Sequence, residues 1–598
     1  MAFKSKTELG AGQTQDSDHN DQTLDADIDI APQHIHAKTI VLLVAIVGVY
    51  FVQVVHLTGV GGGPGQHHAE TFQDRLYETT TDPFVPQVLT QTITSITGGA
   101  ERGFWLAKTV AITAGTLSPP ISEAADLWGR KWFVVGFTAC GAVGCLIASR
   151  ANTFDQLIAG QAIGAFHAGS QCLIHAIASE IMPRKYRPIA QAATATAGGL
   201  GGSVGALLSG GLVRTNPMHW RYFFYILTGM YTAMIAIIIR LYNPPPRELQ
   251  RALTQREKLA GLDWTGYALF VPGLVLFCFA LTSSTGIYPW KSAKIIAPIT
   301  IGAIMLIAFV IYEWRFTNEG MLHHAVFGYG RNFPIIFGLF FVEGLLFYAT
   351  NSYYSYEIAS VFGKPLFISG AYYSVGWAVL IVVTQLTGVY CAKTTTVRGP
   401  LVVAFLAFAT YFDQATNALG YVVLFGVGIG ISLNALTTTA QLSSPKELIS
   451  IATGLVIGVR SVGGTVGLAI FSAIFSSTEN DEVPKKVGKA VSSFAAFDPK
   501  DIPTLLAAIT SEDPEAPTRI PGVTPKLLAA VGSALQHARI DSFRNIWIAA
   551  AALAAVAAIG SVFLINPKAE FTSSIDAPIE TEEELQRATI IGKLSSKA

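Results

Sequence analysis

The chain has 598 residues, 51% of them hydrophobic and 13% charged, with a net charge of zero. Soluble domains carry roughly 25% charged residues, so a mean hydropathy of +0.45 describes a polytopic membrane protein. Neutrality and the lack of a basic tail give no electrostatic basis for a nucleic-acid partner, and no G-x-x-x-x-G-K-[ST] phosphate loop supports ATP as the direct energy source.

Residues 1–37 are polar and acidic and read as a disordered cytoplasmic tail. The first apolar run, Thr39 to Val60, matches the ~20 helical residues that cross a bilayer core. A Gly-rich connection follows, with His67 and His68 side by side. No further ligands stand at suitable spacing, so a solvated loop outweighs a metal site. Apolar runs then recur at 104–124, 132–149, 154–178, 188–213, 222–242, 264–284, 293–314, 333–354, 366–390, 397–416, 418–437, 447–476 and 543–565. With the first run these make fourteen spans, and an even number puts both termini on one side. Arg130, Lys131, Arg184, Lys185, Arg187, Lys393 and Arg398 enrich one set of short loops, which makes that side cytoplasmic. The segment 478–542 is then a long external loop. The tail from Lys568 reads as short, polar and mobile. Cys140, Cys145, Cys172, Cys278 and Cys391 are scattered without CxxC spacing and read as small core residues, so neither metal nor other cofactor is expected.

The turn between the second and third runs reads P-P-I-S-E-A-A-D-L-W-G-R-K. Asp126 stands four residues before Arg130, with Gly129 between them and Lys131 after. An acid at a helix end can pair with a base across a tight turn and with a helix dipole. Such a contact is a candidate conformational latch; the alternative is a plain turn obeying the charge bias. A weaker echo, G-V-Y-C-A-K-T-T-T-V-R, follows the tenth run with Gly388, Lys393 and Arg398. Repeated halves suit a carrier whose bundles rock about a midplane site.

These residues resemble the major facilitator superfamily, whose loop signature is G-x-x-x-D-R-x-G-R-[RK]. Asp126, Gly129, Arg130 and Lys131 match it, while Ser122 and Leu127 replace the first Gly and first Arg. The fifth run resembles a Gly-rich antiporter signature at Gly202, Gly210 and Gly211, with Ala206 and Leu207 in place of Gly-Pro. Gln161 stands where many members carry an Arg. The resemblance implies an all-α fold of fourteen transmembrane helices: a six-helix bundle over 38–242, two central helices over 243–332, a second bundle over 333–566 and a cytoplasmic tail over 567–598. Stretches 176–188, 219–226, 262–266 and 459–467 look closest to fungal trichothecene efflux pumps. That resemblance implies a plasma-membrane exporter of sesquiterpenoid toxins driven by protons, with a vacuolar or vesicular membrane as the alternative location. A siderophore-iron transporter of the same fold and a transporter-like receptor are the competing readings. An enzyme is not expected.

Ionisable residues at membrane depth are costly and therefore candidates for function. Glu343 lies mid-span in the ninth run, on one helical stripe with Phe340, Phe347, Asn351 and Tyr354. This stripe, with Tyr373 and Trp377, suits a bulky terpenoid and a protonatable switch; a helix contact in which Glu343 pairs with a neighbour is the alternative. Arg460, among Gly458, Gly463, Gly464 and Gly467, is a candidate partner for Glu343. His167, Gln171 and His175 fall at i, i+4, i+8 in the fourth run, which predicts one polar stripe and a candidate proton relay, or else hydrogen-bonded core histidines.

Overall fold

A computed structural model describes residues 37–60, 88–99, 102–103, 105–245, 248–284, 290–317, 320–362, 366–410, 418–494, 497–509 and 516–577. Residues 1–36 of the predicted N-terminal tail, the His67–His68 pair and the last part of the C-terminal tail lie outside this set. The described residues are helical, with no strand among them.

Long apolar sequences satisfy their backbone internally as helices, the form a hydrocarbon environment demands. In chain order they are α1 (Ala37–Val60), α2 (Trp105–Trp128), α3 (Arg130–Ser149), α4a (Phe154–Ala165), α4b (Gln171–Glu180), α5 (Arg187–Thr215) and α6 (Trp220–Leu241). Then come α7 (Trp264–Ser283), α8 (Ala293–Arg315), α9 (Asn332–Ser360), α10 (Leu366–Thr394), α11 (Arg398–Phe408), α12 (Ala418–Leu442), α13 (Ile449–Val491) and α14 (Pro525–Val562). Eleven helices are long and apolar enough to cross a membrane. The other three predicted spans are also helical, but each departs from that pattern. α2 carries Lys108, Glu123 and Asp126, α4 is broken by a 3₁₀ turn at Phe166–Ser170, and α11 is described over 11 residues.

α1, α3, α4, α5 and α6 pack together, as do α9 to α14. The two groups meet where α5 lies against α10 and α12, and where α13 lies against α2 and α4b. α7 and α8 form a hairpin that touches α2 and α13. Asp263 caps α7 by accepting from the Gly266 amide at 2.8 Å. A short helix, Gln255–Ala260, precedes the hairpin. Its Thr254 amide and hydroxyl both donate to Glu257, holding that exposed carboxylate below its ordinary range.

Two turns of matching position, each between the second and third helix of its half, differ in backbone. Gly129 between α2 and α3 has φ 93°, a conformation open to glycine at little cost. The turn after α10 places Thr395 at φ 54°, where a β-branched residue is strained. A second correspondence is closer. Pro183 and Pro445 share φ,ψ of −52°, 141° and −54°, 144°, and each leads through a 3₁₀ turn into the next long helix, α5 or α13.

α13 has 43 residues and, at about 1.5 Å each, is roughly twice as long as a ~30 Å hydrocarbon core. Its far end packs with α14 around Val487, Val491, Phe497, Leu505, Leu527 and Val531. Lys486 pairs there with Asp541, and Arg539 with Glu479 at 3.6 Å. The connecting segment 478–542 is therefore largely a helical hairpin.

α9 and α13 cross closely because of their glycines. A Cβ on Gly463 would stand 3.1 Å from the Phe341 Cα, and one on Gly467 2.7 Å from the Leu345 side chain. Gly463→Ala should therefore wedge the crossing apart, costing about 1–3 kcal/mol by overpacking. Thermal unfolding of the purified protein should show a midpoint several degrees lower than wild type.

Candidate functional site

The turn at Gly129 builds its charges from two helix ends and a third helix. Arg130 opens α3 and donates through Nη2 to Asp126 Oδ1 at 2.9 Å. Its Nη1 pairs with Glu180 at the end of α4b. All three side chains are largely buried, at 5%, 11% and 1% exposed, so Arg130 neutralises two acids that water does not reach well. Gly129 lets the backbone turn directly into Arg130. Lys131, predicted as part of the same group, points elsewhere: its Nζ donates to the Ile239 carbonyl at 2.9 Å and to Asn243, at the end of α6.

Beside this turn, a run of amides joins the two helix groups. Gln441 of α12 accepts from Ser179 Oγ at 2.6 Å, and its Nε2 donates to the His175 carbonyl at 3.2 Å and to Thr453 at 3.1 Å. Gln191 of α5 sits between, with its Oε1 2.7 Å from His175 Nδ1 and its Nε2 2.9 Å from the His175 carbonyl. Arg187 donates to the Gln441 carbonyl at 3.4 Å. Sequence reasoning missed Gln441 and Gln191. The Pro-charge-charge pattern at Pro183–Lys185 and Pro445–Glu447 is the signal that marks this seam.

The second constellation lies mid-helix. Arg460 Nε and Nη2 donate to the two carboxylate oxygens of Glu343 at 2.6 and 3.1 Å, a bidentate pair between α13 and α9. Glu343 is 0% exposed and Arg460 14%. The guanidinium carbon stands 4.6 Å from the centre of the Phe347 ring, one turn along α9. From there the aromatics continue: Phe347 to Trp377 at 6.1 Å, Trp377 to Tyr373 at 6.0 Å, Tyr373 to Tyr354 at 6.3 Å. The Tyr373 hydroxyl donates to Asn351 Oδ1 at 2.7 Å, and Asn351 is exposed. Five of the six predicted pocket residues thus form one contiguous patch. Phe340 is fully buried in the hydrophobic core cluster, which also takes in Tyr354 and Tyr373.

The facing helix is α5. A Cβ on Gly202 would lie 3.0 Å from the Trp377 ring, and one on Gly198 2.9 Å from Tyr50 of α1. Gly211 faces open space and holds no close contact, whereas Gly210 is buried. The close approach of α5 to α1 instead depends on Gly201 and Gly205.

The predicted His167–His175 stripe does not form. The 3₁₀ turn at Phe166–Ser170 changes the rotation between them, so they join different networks. His175 belongs to the amide seam and meets Tyr50 edge-on at 5.2 Å. His167 donates from Nδ1 to the Gly164 carbonyl at 2.7 Å and stacks on His56 at 4.9 Å. His56 lies 3.1 Å from both the Tyr231 hydroxyl and Gln161 Oε1. Gln161 donates its amide to the Leu106 carbonyl at 3.0 Å. Its oxygen therefore faces His56 and requires a proton on Nε2, leaving Nδ1 to accept from Tyr231.

Two helix groups, a charged turn at one end and a buried ion pair in an aromatic wall describe a polytopic carrier-type membrane fold. A family model described as Major Facilitator Superfamily matches residues 74–468, and the chain belongs to that family. It is 27% identical over 402 residues to an MFS-type transporter of an Acremonium species, covering 64% of this chain and 66% of that protein. It is 24% identical over 494 residues to a trichothecene efflux pump of Fusarium sporotrichioides, covering 79% and 81%. Among solved structures, the human organic anion transporter MFSD10 aligns with a TM-score of 0.47 at 12% identity, over 73% of this chain and 93% of that one.

Arg130→Ala would leave Glu180 buried without its guanidinium, whereas Asp126→Asn leaves Arg130 still paired. Breaking a buried pair from one side costs about 3–5 kcal/mol. Thermal unfolding should therefore show a clearly larger drop in midpoint for Arg130→Ala than for Asp126→Asn.

Proposed function

We propose that this chain is a secondary transporter that exports trichothecene-type sesquiterpenoids across the plasma membrane in exchange for protons. In a producing fungus it would give self-protection. The observation that carries the reading is the Glu343–Arg460 pair set against Phe347 at the edge of the Phe347–Trp377–Tyr373–Asn351 patch. A protonatable carboxylate and an apolar aromatic surface share one residue stripe, so proton binding and terpenoid binding can influence one another. Protonation of Glu343 removes the charge that holds Arg460 and frees the guanidinium, which changes the wall that the terpenoid meets.

The Lys/Arg bias of the loops supports a cytoplasmic location for the Gly129 face and for both termini. In that orientation the Gln441 seam closes the cytoplasmic end, and the aromatic patch stands above it. Asp126, Arg130 and Glu180 lock the closed end, and Gly202 lets α5 slide against Trp377. His167 is the second candidate for proton binding: it is 0% exposed, and its Nε2 lacks a hydrogen-bond partner among the described residues. The membrane potential can drive the exchange. One charge crossing 100 mV yields about 2.3 kcal/mol, more than a tenfold gradient requires.

Growth of a pump-deficient yeast expressing the chain tests the reading. Resistance to a trichothecene, with no benefit on ferric siderophore under iron starvation, is the expected result. Siderophore-dependent growth without resistance would replace the exporter with an importer of the same fold. Binding of toxin without movement would point to a receptor. Glu343→Gln, which cannot titrate, should flatten the pH dependence of toxin efflux from cells or vesicles; an unchanged profile would remove Glu343 from the proton path.

A further inference from the structure

The C-terminal tail is read from its sequence as mobile, yet residues 566–577 make ordered contacts with both helix groups. On one side Asn566 Oδ1 accepts from the Val397 and Arg398 amides at 2.9 and 3.0 Å. Phe571 packs with Cys391, Val397 and Leu442, at the ends of α10 and α12. On the other side three backbone bonds reach the turn between α4b and α5. Arg184 N donates to the Ser574 carbonyl at 3.0 Å, Lys185 N to Thr572 at 2.8 Å, and Ala577 N to Glu180 at 3.2 Å. Side chains reinforce the crossing. Arg184 Nε donates to Asp576 at 3.0 and 3.3 Å, Arg184 Nη1 pairs with Glu570, and Arg187 pairs with Asp576.

We propose that residues 566–577 are a strap that clasps the two helix bundles together on the Gly129 face, so that this face opens only when Asp576 leaves Arg184 and Arg187. The proposal rests on reading the chain as a two-bundle carrier. Its physical basis is the position of Arg187. The side chain is 0% exposed and also donates to the Gln441 carbonyl in the inter-bundle seam. With Asp576 withdrawn, a buried guanidinium loses its counter-charge, and hydrating it means parting the seam. The strap also meets the latch at one residue. Glu180 takes Arg130 with its carboxylate and Ala577 with its backbone carbonyl, so both devices hold the same helix end.

The test reads bundle separation and uses no substrate, so it is independent of whether the chain exports a toxin. Nitroxides would be placed on Lys185→Cys and Lys446→Cys, two exposed positions on opposite sides of the seam, in the full chain with Cys140 and Cys391 replaced by alanine. Pulsed electron resonance in nanodiscs then gives the distance distribution. The expected result is a closed distance with the native tail and with Asp576→Glu, and an open fraction raised about tenfold with Asp576→Asn and with truncation after Pro567. In separate chains that keep Cys391 and carry no nitroxide, N-ethylmaleimide should label that residue, 1% exposed beneath Phe571, faster after the truncation. Unchanged distances in both Asp576→Asn and the truncation would overturn the strap. Opening by truncation alone would overturn the role of Asp576 and leave a clasp made of backbone bonds.

Discussion

A carboxylate at 0% exposure inside a helix bundle is tolerable when a cation meets it in good geometry, and Glu343 has that in Arg460. Much else in the second bundle follows from this requirement. Arg460 reaches Glu343 bidentately because α13 lies against α9 with glycines at the crossing. Gly344 takes the Arg460 backbone, Gly463 the Phe341 backbone and Gly464 the Tyr348 ring. Phe347 lies over one flat face of the guanidinium. The aromatic patch begins at that ring. Charge pairing, helix spacing and the apolar wall are thus parts of one packing solution.

The opposite arrangement governs the Gly129 face. There the bundles are joined by neutral amides and by charges supplied from chain ends. Gln441 and Gln191 satisfy one another and the ends of neighbouring helices. Such contacts are weak singly and exchangeable for water, which suits an interface that must open and close. The matching backbone at Pro183 and Pro445 places this seam at equivalent points of the two halves. Equivalence ends with the charges: Arg184 and Arg187 follow the first proline, Lys446 and Glu447 the second.

How far the sequence reveals all this depends on the range of the interaction. Helices, their order and the membrane class are legible because apolar runs and turn residues are local signals. The Asp126–Arg130 contact is legible for the same reason, being four residues long. Glu343 and Arg460 are 117 positions apart, yet the cost of burying either alone makes a pairing the natural expectation. Three features resist such reading. The 3₁₀ turn at Phe166–Ser170 is announced only by Gly169, a residue common inside membrane helices, and it separates His167 from His175. Gln441 lies in an apolar helix 250 positions from Gln191, and the proline pattern beside each marks the seam without naming the partners. Asp576 and Arg187 are 389 positions apart in segments that look independently soluble. Three of the fourteen predicted spans are helical but depart from the plain apolar pattern, as α2 does where it carries Glu123 and Asp126.

Arg460 and the far hairpin of Val487 and Val491 share one helix, which carries Pro484 just before the hairpin. About thirty residues separate them, so the tip stands roughly 45 Å from the ion pair. A tilt of about 10° at the crossing would carry that tip roughly 8 Å sideways, a displacement several times larger than any at the pair itself. Over that length α13 would act as a pointer that magnifies small rearrangements at membrane depth. A rigid body gripping the hairpin would have leverage over Arg460 in the same ratio, from a site that no small molecule in the aromatic patch would touch.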